Sequence, residues 1–184
     1  MTISHPTVSV CIPTYLGAAH LGQAIDSVLG QRFTDFELLV VDDQSPDDTA
    51  GILSRYQDPR LVYVRNAVNL GPEGNWNRCL ELAKGRYFKL LPHDDLLHPL
   101  CLERQVAILE ADLDEEIALV FSARSILDPQ GRLLARRGYP RGKEGTIKAR
   151  EVVRACIRQG TNLLGDPGAV LMRLAMARRV GPFD

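Results

Sequence analysis

Apolar runs alternate with helical patterns through the first hundred residues, and this alternation constrains the fold more than any other feature of the sequence. The four runs lie at residues 8–12, 36–41, 61–64 and 87–91. Strands that read as unbroken apolar runs are typical of parallel sheets that are covered on both faces. The sequence therefore predicts an α/β, Rossmann-like fold with a mostly parallel sheet and helices on both faces.

The segments between the runs carry the three- to four-residue apolar spacing of helices. Leu21 and Ile25 belong to the first helix, and Trp76 belongs to the third. For the second helix we predict Ser45 as the N-cap and Pro46 at the first helical position. Beyond residue 100 the sequence predicts a helix at 100–109, a strand at 117–122, a turn at 128–131, a mobile basic loop at 136–145, a helix at 149–158, and a strand at 169–172 followed by a short helix.

Length and composition favour one domain, because 184 residues with 45% apolar content support a single core of ordinary size. No run of about 18 uncharged apolar residues occurs, and the first residues lack the pattern of a secretory signal. We therefore expect a soluble, cytoplasmic chain. The cysteines are scattered without a C-x-x-C pair, so we expect buried reduced thiols; they are Cys11, Cys79, Cys101 and Cys156.

Charge is distributed unevenly along the chain, although the net charge is only -1. Residues 1–123 carry 9 Lys and Arg against 18 Asp and Glu, whereas residues 124–184 carry 13 against 5. The basic part could face an anionic acceptor or the inner surface of a membrane, or it could simply be a solvated face. We keep both interpretations.

Two aspartate pairs follow predicted strands. Asp42 and Asp43 come after the second strand, and Asp94 and Asp95 come shortly after the fourth. In open α/β sheets ligands bind beyond the carboxyl ends of the strands. Mg²⁺ and Mn²⁺ suit oxygen ligands, and Mg²⁺ is usually held by one or two carboxylates together with substrate phosphates. The pairs therefore predict a phosphate-bearing ligand, with a divalent metal at Asp94 and Asp95.

Other polar residues could line the same crevice. Pro13, Thr14 and Tyr15 end the first strand and offer a hydroxyl and an aromatic face to a nucleotide base. Asp42 or Asp43 could accept hydrogen bonds from the base or the ribose, or the pair could only cap the next helix. Further candidates are Gly71, Gly74, Asn75, Arg65 and Arg78, which could close over the nucleotide, and His93 and His98, which could bind the metal or only form hydrogen bonds.

Three longer stretches of the chain resemble the family 2 glycosyltransferases, which have the GT-A fold. They are VSVCIPTYLGAAHLGQAIDSVLGQRFTDFELLVVDDQSPDDT, NLGPEGNWNRCLELAKGRYFKLLPHDDLL and GDPGAVLMRLAMARRVGPFD, in the order and spacing of the family. The resemblance implies a nucleotide-sugar donor, often uridine-linked, bound by Thr14, Tyr15 and Asp43. It implies ribose and metal contacts from Asp94 and Asp95.

The same resemblance implies the reaction and its partners. A sugar would pass from a nucleotide diphosphate sugar to an acceptor hydroxyl in an inverting, hexosyltransferase-type reaction assisted by Mn²⁺ or Mg²⁺, as in cell-envelope polysaccharide synthesis. We expect a glycan or lipid-linked acceptor and no nucleic acid. Residues 1–100 would form the nucleotide-binding half and residues 101–184 the acceptor-side half. There Asp166 could contact the acceptor, although Asp-Pro-Gly is also a common turn sequence.

The chain departs from the family pattern in two places. The metal motif of the family often reads D-x-D-D, and here Pro92 replaces the leading aspartate. Metal binding would then depend on Asp94 and Asp95 alone. In the family, the catalytic base usually follows the G-x-F-D segment, whereas this chain ends at Asp184. We therefore expect the base to lie beyond Asp184 and the chain to be a truncated domain.

Two alternatives come from other functional classes. The stretch LLVVDDQ is similar to the acidic pocket of response regulators and suggests a phospho-receiver domain, although that pocket should open the domain and here it follows a complete strand-helix unit. The missing base suggests a second alternative, a sugar-nucleotide binding module without catalytic activity.

Overall fold

The computed structural model describes residues 5–139 and 145–184. Its first half alternates strands and helices as predicted: β1 (Val8–Thr14), α1 (Leu21–Leu29), β2 (Phe36–Asp42), α2 (Thr49–Leu53), β3 (Leu61–Arg65), α3 (Gly71–Leu82) and β4 (Tyr87–Leu90). The second half contains α4 (Cys101–Ala111), β5 (Leu119–Phe121), β6 (Arg124–Leu127), β7 (Leu133–Arg137), α5 (Ala149–Gln159), a 3₁₀ turn (Pro167–Ala169), β8 (Val170–Arg173) and α6 (Leu174–Val180).

Six strands form one sheet in the order β3-β2-β1-β4-β8-β5. The strands β1 to β4 are mutually parallel, and β8 runs antiparallel to both β4 and β5. The chain places β2 and β3 on one side of β1 and then β4 on the other, which creates a topological switch point between β1 and β4. The predicted α/β fold with a mostly parallel sheet is confirmed.

Helices cover both faces of the sheet, and each face has its own apolar core. The first core joins α1, α2 and α4 to the strands, and the second joins α3 and α6 to the opposite face. In α1 the buried residues Leu21, Ala24, Ile25 and Val28 recur at the spacing of a single helical stripe. All seven residues of β1 are buried, as expected for a central strand covered on both sides.

The first strand is longer than predicted, because Pro13 does not end it. The backbone N–H and carbonyl of Thr14 face β2, and the carbonyl accepts from Asp43 N at 2.8 Å. Pro13 therefore faces the β4 side, and pairing with β4 stops at Cys11. The N–H that proline lacks is not needed at this point, so the strand continues to Thr14.

Two further local predictions were wrong. The second helix starts at Thr49 rather than after Ser45, because the Ser45 side chain instead accepts the N–H of Leu16 at 3.1 Å. The predicted basic loop at 136–145 begins within a hairpin, since Arg136 and Arg137 belong to β7, which pairs with β6. Residues 140–144 of that loop lie outside the described residues.

The predicted burial of the cysteines holds for two of the four. All four thiols are free; two are buried and the other two are partly exposed. Burial raises the pKa of the buried Cys11 thiol well above its usual value. Over the described ranges, every helix is too short or too polar to cross a membrane.

A charged residue occupies one core position of the central sheet. Lys89 in β4 lies between Tyr87 and Leu91, which both pack in the core beneath α4, and it is fully buried. Its Nζ donates to Gln105 Oε1 at 3.0 Å and to the Val170 carbonyl at 3.1 Å. Burial lowers the pKa of Lys89 to about 8, and the nearby Cys101 thiol opposes this change. The folded chain therefore disfavours the protonated amine.

We expect the free energy of unfolding of the wild-type chain to rise, relative to that of Lys89→Met, as the pH increases from about 8 to 10.5, the ordinary lysine pKa. In this window the unfolded chain still binds the lysine proton and the folded chain has lost it, so raising the pH favours folding. At pH 10.5 the free energy of unfolding of the wild-type chain, relative to that of Lys89→Met, should have risen by on the order of 3 kcal/mol. Urea unfolding at several pH values measures it, and parallel curves for the two proteins would contradict the prediction.

Candidate functional site

The carboxyl ends of β1, β2 and β4 meet at one edge of the sheet and carry most of the predicted site residues. Thr14 pairs with Asp42 across the parallel ladder. On the β4 side, the loop after the strand turns at Pro92, whose carbonyl accepts from Asp95 N at 3.1 Å. A Cβ added to Gly17 would overlap Thr14 Oγ1 and lie 3.3 Å from His93 Cγ. The loops after β1 and β4 are therefore in close contact at the switch point.

The hydroxyl of Thr14 is the unusual group of this crevice. Thr14 is 1% exposed, and within the described part of the chain its Oγ1 has no hydrogen-bond partner. Leaving a buried polar group unsatisfied costs about 1–3 kcal/mol. Nearby Leu16 and Gln44, just after β1 and β2, adopt left-handed backbone angles with φ of 55° and 63°. Such strain clusters at ligand sites, so both observations point to this edge.

Asp42 is turned into the protein. It is fully buried and accepts hydrogen bonds from Ser45 N and the Tyr63 hydroxyl, each at 2.8 Å, with Arg65 Nη1 at 3.3 Å. Burial and the Asp42 carboxylate raise the pKa of Tyr63. Asp42 thus ties β2 to β3 and to the loop after β2. Contact between Asp42 and a nucleotide stays a prediction.

Asp43 lies beside Asp42 but connects to α3. It is 2% exposed and accepts hydrogen bonds from Asn66 Nδ2 and Leu70 N at 2.8 Å and from Gly71 N at 2.9 Å. Its charge lies at the N-terminus of α3, where the helix dipole favours an anion. The capping alternative therefore describes a real contact, made to the helix after β3 rather than to α2.

The two candidates on α3 have different surroundings. Asn75 is buried, donates to the Val41 carbonyl at 3.0 Å and accepts from Asn66 at 3.0 Å, so it anchors α3 to β2. Arg78 lies on the surface and pairs with Glu81 at 2.9 Å. It is seven residues into the helix, roughly 10 Å along its axis from the crevice end. Contact between Arg78 and a nucleotide stays a prediction.

The second aspartate pair faces the crevice more openly. Asp94 is exposed and Asp95 is half-buried. Burial, followed by the charges of Asp94 and Asp166, raises the pKa of Asp95, whereas Arg124 and His93 lower it. Asp166, on the turn before β8, thus lies near this pair, and it forms an ion pair with Arg124 at 2.9 Å. The turn itself is confirmed by the hydrogen bond from Ala169 N to the Asp166 carbonyl at 2.9 Å.

These carboxylates suit a divalent metal whose coordination is completed by ligand phosphates. Residues 5–139 and 145–184 contain no group of three or more His, Cys, Asp and Glu side chains arranged to hold a metal ion alone. Two carboxylates with locally accumulated negative charge are what Mg²⁺ or Mn²⁺ needs beside a diphosphate. His98 is engaged elsewhere, because its Nδ1 accepts Leu100 N at 3.2 Å.

Sequence reasoning missed Arg124 as a member of the site. It lies at the start of β6, a strand that the apolar pattern did not predict, and only the fold places it beside Asp166 and Asp95. The only trace of Arg124 in the sequence is the glycine at position 165. In the structure Gly165 adopts φ of 99°, and a Cβ there would overlap the Arg124 guanidinium.

Comparison with known proteins identifies relatives of the chain. The family described as Glycosyl transferase family 2 matches residues 9–165. The uncharacterized protein MT1568 of Mycobacterium tuberculosis is 31% identical over 184 residues, which cover 97% of this chain and 57% of the relative. The uncharacterized glycosyltransferase RP339 of Rickettsia prowazekii is 36% identical over 132 residues, covering 72% of this chain and 41% of the relative. The chain therefore spans about half the length of these relatives.

Solved structures share the fold at lower identity. The mannosyltransferase PcManGT from Pyrobaculum calidifontis, in complex with GDP-Man and Mn²⁺, has a TM-score of 0.68 at 20% identity, covering 99% of this chain and 48% of that chain. S. aureus TarS 1-349 in complex with UDP-GlcNAc has a TM-score of 0.65 at 20% identity, covering 95% and 47%. The GT-A fold predicted from the sequence is confirmed.

We expect Thr14→Val to leave the free energy of unfolding of the ligand-free protein unchanged or to raise it by up to about 1 kcal/mol, because it removes an unsatisfied buried hydroxyl. Thr49→Val is the matched control. Thr49 is fully buried and its Oγ1 donates to Asp47 Oδ1 at 2.6 Å, so this change should cost about 1–2 kcal/mol. Urea unfolding measures both, and equal losses would contradict the reading of Thr14.

Proposed function

The chain belongs to glycosyltransferase family 2, and on this basis we propose that it takes part in transferring a sugar from a nucleotide diphosphate sugar to an acceptor hydroxyl. One observation carries the placement of the donor. The Thr14 hydroxyl, which has no partner in the part of the chain that the structure describes, and the Asp94–Asp95 pair lie on either side of the β1/β4 switch point, where open α/β sheets bind nucleotides.

We propose a uridine-linked donor whose base stacks on Tyr15, which is 46% exposed directly after β1. The Thr14 hydroxyl and the Asp43 carboxylate would hydrogen-bond the base or the ribose. Asp43 keeps acceptor capacity beyond its three protein donors, since a carboxylate has about four lone-pair sites. Pro13, Asp42, Asn75 and Arg78 remain proposed members of the nucleotide site; the burial of Asp42 and Asn75 favours support of the crevice from behind.

Mn²⁺ or Mg²⁺ would be held by Asp94 and Asp95 together with the donor diphosphate. When bound, such an ion stabilises the negative charge of a diphosphate leaving group. Asp94 is exposed enough to reach a ligand, and Asp95 is fixed by its partly buried position. Burial, followed by the charges of Asp94 and Asp166, raises the pKa of Asp95, and a bound cation would offset the contribution of these charges.

The reaction would be an inverting single displacement of hexosyltransferase type. The acceptor hydroxyl oxygen attacks the anomeric carbon, its proton passes to a carboxylate, and the bond from that carbon to the diphosphate oxygen breaks. Asp166 and Arg124 lie next to Asp95 on the side of residues 101–184, the proposed acceptor-side half. They would contact the incoming acceptor.

Membership of this family leaves the phospho-receiver alternative without support. Asp43, which would have to attack the phosphoryl group, has both carboxylate oxygens occupied as acceptors, Oδ1 by Asn66 and Leu70 and Oδ2 by Gly71; this hinders nucleophilic attack more than one further hydrogen bond to a ligand. The sugar-nucleotide binding module without catalysis stays as the alternative that shares the same site.

We expect UDP to bind the wild-type chain only with Mn²⁺ or Mg²⁺ present, and the variant Asp94→Asn/Asp95→Asn to bind it at least roughly tenfold more weakly. The reason is the loss of the two anionic ligands that the metal needs. Isothermal titration with and without metal measures this. Asp114→Asn, an exposed aspartate before β5, is the control and should bind UDP as the wild type does.

Metal-independent UDP binding that survives in the double variant would contradict the proposed metal site. A test of several UDP- and GDP-sugars for hydrolysis and transfer then separates the two remaining functions. Turnover supports the transferase, and binding of the donor without turnover supports the binding module.

The acceptor is proposed to be a glycan or a lipid-linked molecule, with the basic part of the chain facing an anionic membrane surface. On α5 the apolar residues Val153 and Ile157 are 56% and 76% exposed, and Arg154 and Arg158 border a cavity of about 520 Å³. Exposed apolar side chains among arginines are typical of helices that lie on anionic membranes.

We expect the chain to bind anionic vesicles more tightly than neutral ones, and Arg154→Glu/Arg158→Glu to weaken this binding about tenfold or more, because each basic residue near an anionic surface contributes roughly 1 kcal/mol. Vesicle sedimentation at two salt concentrations measures it. Arg104→Glu, on exposed α4 surface in the acidic part of the chain, should have little effect. Equal binding to neutral and anionic vesicles would contradict the proposal.

A further inference from the structure

Lys89 and Gln105 satisfy backbone carbonyls at the place where the central sheet stops pairing. The antiparallel ladder between β4 and β8 ends at Phe88 and Met172. Beyond that point the Val170 carbonyl accepts from Lys89 Nζ at 3.1 Å. The next carbonyl, that of Ala169, accepts from Gln105 Nε2 at 2.9 Å. Lys89 thus takes the place of a ladder bond beyond the last β4–β8 pair, whereas Gln105 adds a buried donor to the Ala169 carbonyl, which also accepts from Ser122 N at 3.1 Å.

The two carbonyls follow the Gly165–Gly168 turn, which packs against Arg124 at one end and against the loop after β4 at the other. A Cβ on Gly168 would lie 3.4 Å from Asp95 Oδ2 and 3.2 Å from Leu91 Cδ1. At the other end of the turn, a Cβ on Gly165 would overlap the Arg124 guanidinium. The two ends of the turn therefore contact Arg124 and Asp95, and the position of the turn sets how near the exposed Asp166 lies to Asp95.

We propose that Lys89 and Gln105 are positioning residues, which hold the Gly165–Gly168 turn and its Asp166 against Asp95 from inside the core. The proposal rests on the proposed function, because it assumes that Asp94 and Asp95 bind a divalent metal. Neither residue touches the crevice. Lys89 is fully buried and Gln105 is 3% exposed, and they act through the Val170 and Ala169 carbonyls.

The chemistry of the pair suits positioning better than core filling. An apolar residue of similar length would fill the space of Lys89 without the cost of burying an ammonium group. What only the lysine provides is a donor long enough to reach Val170 from β4. Gln105 connects Lys89 to the turn, because its Oε1 accepts from Lys89 Nζ at 3.0 Å while its Nε2 donates to the Ala169 carbonyl.

The test compares Lys89→Met and Gln105→Glu with Val106→Ala. Lys89→Met keeps the length and removes the donor. Gln105→Glu keeps an acceptor for Lys89 and removes the donor to Ala169. Val106 is the neighbour of Gln105 on α4 and is buried in the core on the same face, so its truncation lowers stability without touching the turn. Hydrogen exchange of residues 162–172 and the affinity for Mn²⁺ alone, followed by electron paramagnetic resonance, are the readouts.

We expect faster exchange in the turn and at least fivefold weaker Mn²⁺ binding in Lys89→Met, a smaller effect of the same kind in Gln105→Glu, and wild-type values for both readouts in Val106→Ala. If Lys89→Met does not fold, Gln105→Glu carries the test. Unchanged exchange in the turn overturns the inference. So does faster exchange with wild-type Mn²⁺ affinity, or Mn²⁺ affinity that falls equally in Val106→Ala.

Failure of the proposed function gives a different result. If the wild-type chain binds neither Mn²⁺ nor UDP, the metal and donor assignments fall. The exchange comparison between Lys89→Met and Val106→Ala then still decides whether the buried pair holds the turn.

Discussion

The parallel pairing of β1 with both β2 and β4 determines where the strand-end polar residues of the crevice lie. Parallel strands deliver their carboxyl ends to the same edge, so Thr14, Asp43 and the Asp94–Asp95 pair meet although they are far apart in the sequence. The side on which the chain adds strands also changes at β1, since β2 and β3 extend the sheet on one side and β4 on the other. The crevice opens at β1, where the Thr14 hydroxyl has no partner among residues 5–139 and 145–184.

Two aspartate pairs that look alike in the sequence have opposite surroundings. Asp42 and Asp43 are buried, and backbone and side-chain donors from β3, α3 and the loop after β2 satisfy them. Asp94 and Asp95 line the crevice, where burial and then the charges of Asp94 and Asp166 raise the pKa of Asp95. Buried carboxylates are stable only when donors surround them. Asp42 and Asp43 therefore hold the elements around the site together, and Asp94 and Asp95 are available to a cation.

The boundary between the proposed nucleotide half and the proposed acceptor half lies between β4 and β8 in the sheet. The strand β8 comes from the end of the chain and inserts between β4 and β5. Its entry turn lies directly against Asp95. Since protein interiors are close-packed and transmit displacement, the side chains that fix this turn from below, Lys89 and Gln105, can influence the geometry of carboxylates that they do not touch.

The sequence by itself determined the α/β class, the alternation of β1 to β4 with α1 to α3, and the placement of the candidate aspartates after strands. These features depend on the local apolar period and on residues that are neighbours in the chain. It did not determine that Pro13 lies within β1, that Asp43 caps α3, or that Arg124 joins Asp166 beside Asp95. Those outcomes depend on which strand ends are left unpaired and which elements pack side by side. Only the tertiary structure decides them, because the interacting groups come from segments distant in sequence, such as Asp43 with Gly71 and Lys89 with Val170.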